Sequence, residues 1–184
     1  MTSTIESAAS AVFGANRIYR YTLTRNNIAR GSESTACFVM LNPSTADEHQ
    51  DDPTIRRCIG FARGWGYTRL HVVNLFALRS TDPRGLALYP EPVGPDNDRW
   101  IIRRASESDI VVCAWGTHGR LHGRGDQVVS LLSGVADLWC LGQTKDGYPK
   151  HPLYLSSRTQ AQPFEHNKCR PSDECTRIEF RRVS

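Results

Sequence analysis

Short apolar runs alternate along the chain with segments whose apolar residues recur every three or four positions, the spacing of strands followed by amphipathic helices. The opening run, RIYRYTLTRN, alternates polar with apolar residues and predicts an exposed or edge strand. ACFVML, residues 36–41, is uninterrupted and predicts a strand buried on both faces. A helix is expected over 53–65. Asp52 is its N-cap, Pro53 suits the first helical position, Ile55, Ile59 and Ala62 share a face, and Gly64 and Gly66 end it. A second strand follows over 70–76, then RSTDPRGLALYPEPVGP, whose prolines and glycines predict a long loop. Next come a helix over 95–106, started by Gly94 or an Asp96 turn, and a third strand over 109–115. GTHGRLHGRG then leads to a helix over 126–132 and a fourth strand over 137–141 that ends at Gly142.

Alternation of this kind predicts a three-layer α/β fold, with a four-stranded, mainly parallel sheet in the order 2-1-3-4 flanked by helices. One domain over residues 1–184 is expected, with 1–16 and 160–184 as irregular tails. In open sheets of this class ligands bind at the carboxyl ends of the strands. The loops after Leu41, Phe76, Trp115 and Leu141 should therefore converge on one site.

Composition narrows this little. Hydrophobic residues make up 39% and charged residues 23% of the chain, as in a globular protein, and no apolar run reaches the roughly 18 residues of a spanning helix. The N-terminal segment has no basic stretch followed by a long apolar one, so a cytoplasmic location is expected. A net charge of +4 permits a polyanionic partner without requiring one. Of six cysteines, Cys37, Cys113 and Cys140 sit in apolar runs and read as buried thiols. Cys169 and Cys175 lie in a polar tail, Cys58 falls in the first helix, and no C-x-x-C pair occurs, so no metal or other cofactor is expected.

Three polar positions stand where strands end or turn: Asn42 before Pro43, Asn74 inside VVNLF, and His151 before Pro152. An isolated Asn at a strand end usually caps a turn, and a lone His before Pro is usually a surface loop residue. Asn74 differs, because an amide inside an apolar strand needs partners for its oxygen and both hydrogens.

In sequence order, MLNP (40–43), VNL (73–75) and HPLYLS (151–156) resemble the motifs of the uracil-DNA glycosylase superfamily. There a first strand ends in G-x-[N/D/E]-P, a second ends in a base-reading Asn, and a late loop carries H-P-x-x-L-S or N-P-S. The similarity spans about residues 36–157. LNPSTAD, DDPTIRRCIGFA, VVNLFALRSTDP and HPLYL together look more closely like an uncharacterised family of bacterial and phage proteins, a domain of unknown function. Two departures are plain: Met40 replaces the superfamily's glycine, and Ser44 replaces the aromatic or glycine after the proline.

The superfamily resemblance implies a uracil-DNA glycosylase-like fold and a DNA glycosylase-like activity on a modified or mismatched base. It implies that Asn74 reads the base edge, with Phe76 or Tyr154 stacking on it. His151 would donate to the base as negative charge develops there, and Asn42, helped by Asp47, would hold the attacking water. Leu155 would be the wedge that fills the space of a flipped base. Lys150, Arg158, Arg79, Arg120 and Arg124 would hold phosphates of DNA, single-stranded or bearing an altered base. The partner is thus DNA or a nucleotide, with no membrane, and a monomer is expected. Two other classes stay open. One is a sensor that binds a base or nucleotide without cutting it. The other is a metal-dependent hydrolase built on Asp47, Glu48, His49, Asp51 and Asp52, a run that also reads as the acidic start of a helix.

Overall fold

A computed structural model describes residues 9–82 and 84–166. Its centre is a mixed sheet of seven strands in the order β1-β2-β4-β3-β5-β6-β7. The strands are β1 (Ala9–Phe13), β2 (Arg20–Arg25), β3 (Thr35–Met40), β4 (Arg69–Asn74), β5 (Ile110–Cys113), β6 (Leu138–Cys140) and β7 (Gln162–Pro163). Helices α1 (Pro53–Gly64), α2 (Arg84–Leu88), α3 (Asn97–Ser106) and α4 (Arg124–Leu132) connect them.

The expected count of four strands is corrected to seven. The central β4, β3, β5 and β6 are mutually parallel and follow the order expected for them. Three strands, each paired antiparallel with its inner neighbour, extend the sheet at its two edges. Two of these lie in the expected irregular tails. Alanine-rich ASAVF pairs with β2, and Gln162 and Pro163 pair with β6. Proline is tolerated there because an edge strand can lack one donor.

RYTLTR is not an edge either. β2 is buried throughout because β1 covers one side and β4 pairs on the other. Leu23 packs into the α1-side core with Phe38, Ile55 and Phe61, while Thr24 bonds His71 at 3.0 Å. The second core cluster, around Val39, Val73, Ile101 and Val128, lies with α3 and α4.

Local signals set α1 as expected: Asp52 accepts a hydrogen bond from the Ile55 N–H at 2.8 Å, Pro53 opens the helix, and Ile55, Cys58, Phe61 and Ala62 are buried. The long loop after β4 contains the five-residue α2 and otherwise stays irregular. Cys37, Cys58, Cys113 and Cys140 are free and buried, and burial raises each thiol pKa, that of Cys37 to about 12. Cys169 and Cys175 lie outside the described residues. No helix among the described residues is long and apolar enough to cross a membrane.

Candidate functional site

Parallel pairing of Met40 with Asn74 brings the ends of β3 and β4 level, so Asn42 and Asn74 emerge at the same sheet edge. The loop after β6 returns there, tied by Gly116 N–H to Pro149 O at 3.0 Å and Lys150 N–H to Gly142 O at 2.9 Å. A cavity of about 660 Å³ results, with Asn42, Asn74 and His151 all in its wall. Lys150, Tyr154 and Leu155 also line it.

Asn74 shows how the strand end divides its polar groups. Asn97, fully buried on α3, donates through Nδ2 to the carbonyls of Asn74 and Leu75 at 2.9 and 3.0 Å. The Leu75 N–H donates to Met40 O at 2.8 Å. These backbone groups are satisfied, yet the side-chain Oδ1 and Nδ2 of Asn74 are both buried without a hydrogen-bond partner. Such an arrangement costs about 1–3 kcal/mol per group, and a ligand edge offering one donor and one acceptor would remove that cost.

Asn42 is the opposite case. Its Nδ2 donates to Pro43 O at 3.0 Å and to Ser80 O at 2.7 Å. Both amide hydrogens are spent on carbonyls, so Oδ1 is what this residue can offer the cavity, as an acceptor.

His151 caps a 3-10 turn formed by Pro152–Tyr154, its Nδ1 accepting from the Leu153 N–H at 3.3 Å. The neutral ring therefore carries its proton on Nε2. Burial lowers the His151 pKa and so favours the neutral imidazole near pH 7, with nearby Asp52 acting in the opposite direction. Arg57 on α1 holds this loop, donating to Pro152 O at 3.4 Å and to Leu155 O while its guanidinium lies 4.8 Å from the Phe61 ring centre. Gly116 packs beside His151, and its φ of +73° is the left-handed conformation that favours glycine.

Two further charged residues line the wall, Asp52 and Arg20. Asp52 lines the cavity, and one oxygen of its carboxylate caps α1. Its cap role is legible in the Asp-Pro pair; its place at the cavity is not. Arg20, 1% exposed, donates from Nη1 to Ala46 O at 2.6 Å, while its Nε is buried and unpartnered. Burial lowers its pKa to about 10, with Asp52 opposing and Arg79 reinforcing, so it remains a cation. An arginine in an alternating strand carries no signal of that placement.

Several expected site residues lie elsewhere. Phe76 is fully buried in the α3-side core and cannot stack on a ligand. Arg124 is 4% exposed and serves the fold, donating to Leu75 O at 2.9 Å and pairing with Asp98. Asp47 does not line the cavity. Its Oδ1 accepts from the N–H groups of His49 and Gln50, which lowers its pKa. Arg120 and Arg158 are exposed outside the cavity wall, and Arg79 lies beside it with its guanidinium 5.3 Å from the Phe13 ring centre. Tyr154, 88% exposed, stands at the mouth, and Leu155 is half-buried against the α1-side core.

The acidic run is parcelled out rather than clustered. Glu48 pairs with Arg17 and Asp51 with Arg25, both at 2.8 Å, while Asp52 caps α1. No group of three His, Cys, Asp or Glu among the described residues is arranged to hold a metal ion.

Fold and cavity together define a mixed α/β protein with a largely apolar pocket, set with a few polar side chains, at the carboxyl edge of its parallel strands. The chain belongs to the family described as "Protein of unknown function (DUF1643)", whose model matches residues 20–153. No curated protein and no solved structure gives a significant match.

Proposed function

We propose that this chain is a nucleobase-recognising N-glycosidic bond hydrolase, related in fold and site plan to the uracil-DNA glycosylases. The observation that carries this reading is the Asn74 amide, buried and unpartnered in the wall of a cavity that also holds Asn42 and His151. A base edge with adjacent donor and acceptor matches such an amide in a bidentate pair.

Three other wall residues, His151, Asn42 and Asp52, fit the chemistry. A water oxygen bonds to the sugar C1′ as the C1′–N bond breaks, and the base departs with the electron pair. The Nε2–H of neutral His151 stabilises the charge developing on the base oxygen. Asn42 Oδ1 accepts from the water and orients it. Asp52, the carboxylate in the described wall, takes the water's proton as the sugar cation collapses to product. The oxocarbenium-like centre is electrophilic enough that a strong base is unnecessary.

Release of free base, followed by chromatography, tests this on oligonucleotides, nucleosides and nucleotides bearing uracil, hydroxymethylated and hypermodified bases. Product is expected from wild type, with Asp52→Asn, which keeps a helix cap, slower by about tenfold or more. Binding without any released base would move the assignment to a sensor, a reading favoured by Met40 and Ser44 in the first motif.

A further inference from the structure

Beside the cavity lies a second, more open hollow of about 520 Å³ lined by Ser44, Thr45, Arg79, Ser80 and Thr81. Three of these, Ser44, Ser80 and Thr81, also line the main cavity, so the two spaces adjoin. The hollow is lined by one guanidinium and four hydroxyl side chains, the composition of a site for a compact anion.

Its one cation, Arg79, and Arg20 next door are only partly engaged. Arg79 Nε is buried without a partner, and its Nη1 reaches only Arg17 O, at 3.5 Å. Arg20, in the wall of the adjoining cavity, is fully buried with its own Nε unpartnered, and the two guanidiniums are close enough to repel. Arg17 beside them is neutralised by Glu48 at 2.8 Å. An anion between Arg79 and Arg20 would relieve the repulsion and satisfy both donors. Ser80 is not free to donate, since its hydroxyl already donates to Asp82 O at 2.7 Å.

The cavity volume, about 660 Å³, falls within the range of small-ligand sites, roughly 300–1,000 Å³. Arg124, one of the cations expected to follow a nucleic-acid backbone, is committed inside the fold. One anion cradle beside one cavity of small-ligand size fits a single nucleotide better than a strand.

We propose that the ligand is a free nucleoside monophosphate, with its base against Asn74 and its phosphate held by Arg79, Arg20 and the hydroxyls of Ser44, Thr45 and Thr81; this rests on the base-recognition reading above. Calorimetric titration tests it with the common ribo- and deoxyribonucleoside monophosphates, the corresponding nucleosides, ribose 5-phosphate, and short single-stranded oligodeoxynucleotides without terminal phosphates. A monophosphate should bind about tenfold or more tightly than its nucleoside, the margin of a charge-assisted hydrogen bond. Arg79→Gln should erase that margin and spare nucleoside affinity. Arg79→Lys, which keeps the charge but not the fork, should leave an intermediate margin and serves where the glutamine variant fails to fold.

Asn74→Ala should flatten the preference among bases while the phosphate margin persists. If Asn74→Ala leaves base preference intact but Arg79→Gln still removes binding of ribose 5-phosphate, base recognition fails and the anion cradle stands. The proposal is overturned by nucleosides that bind as tightly as monophosphates, by a folded Arg79→Gln protein with an unchanged margin, by no monophosphate binding, or by oligonucleotides binding more tightly than every monophosphate.

Discussion

Each end of strand β4 opens on a cleft that holds polar groups, and the two clefts treat those groups differently. At its amino end a cleft of about 320 Å³ is lined by Thr24, Arg69, His71, Arg103, Arg104 and Glu107. There Glu107 takes both Arg103 and Arg104, at 2.9 and 2.7 Å, Thr24 bonds His71, and Arg69 donates to Asn26 Oδ1 at 2.9 Å. Arg104 Nε is the exception. At the carboxyl end Asn74 has both amide atoms unpartnered, and Arg20 and Asp52 share a wall without a hydrogen bond between their side chains. Charge density alone would rank the first cleft higher. Hydrogen-bond accounting reverses the order, because polar groups that satisfy one another have little left for a ligand.

The largest expected effect breaks the comparison at its functional end. His151→Ala should lower turnover roughly a hundredfold or more while affinity changes little, since the lost donor acts on charge that develops in the transition state. Single-turnover base release beside equilibrium binding checks this, and equal loss in both would assign His151 to ground-state binding instead.

Next is the amino-end cleft, which should betray itself through pH. Burial lowers the His71 pKa from 6.5 to about 4. Between those values the unfolded chain binds more protons than the folded one, so the stability from a neutral His71 is complete above about pH 6.5 and is lost as pH falls towards 4. The loss is on the order of 3 kcal/mol at most. Lowered His151 adds to it in the same direction. Urea unfolding between pH 7 and 4.5 should show the decline, and His71→Gln should flatten it; parallel curves for the two proteins would refute the assignment.

Asn74→Leu sharpens the contrast. Removing an unpaired buried amide in favour of an apolar side chain of similar size should stabilise the ligand-free protein by about 1 kcal/mol or more while abolishing base binding. A lower melting temperature would mean that the amide is satisfied in solution.

The smallest effect separates the two duties of Asp52. Asp52→Ala should cost about 1 kcal/mol through loss of the cap on α1, and Asp52→Asn almost nothing. If the asparagine variant is equally destabilised, the carboxylate charge matters to the fold as well as to the site.

Of the candidate site, Asn42, Asn74 and His151 were legible because each stands where a buried strand or its following loop turns polar, a contrast visible in a few consecutive residues. Phe76 and Arg124 misled for a single reason. Both lie next to chemically loaded loops in the sequence, but side-chain direction and depth come from β4 and α4 packing on α3, with Asp98 lying 26 residues from its partner.

By itself the sequence determined the alternation of strands and helices, the Asp-Pro start of α1, the buried thiols and the polar strand ends, because each depends on neighbours within one or two turns of chain. Only the tertiary structure decided that ASAVF and Gln162–Pro163 become strands, that RYTLTR is covered on both edges, and that Arg20 and Asp52 face the cavity. Those outcomes rest on pairings between distant segments, such as Ala9 with Arg25 and Arg20 with Ala46. Whether a buried polar group finds its partner inside the protein is settled only when those segments meet.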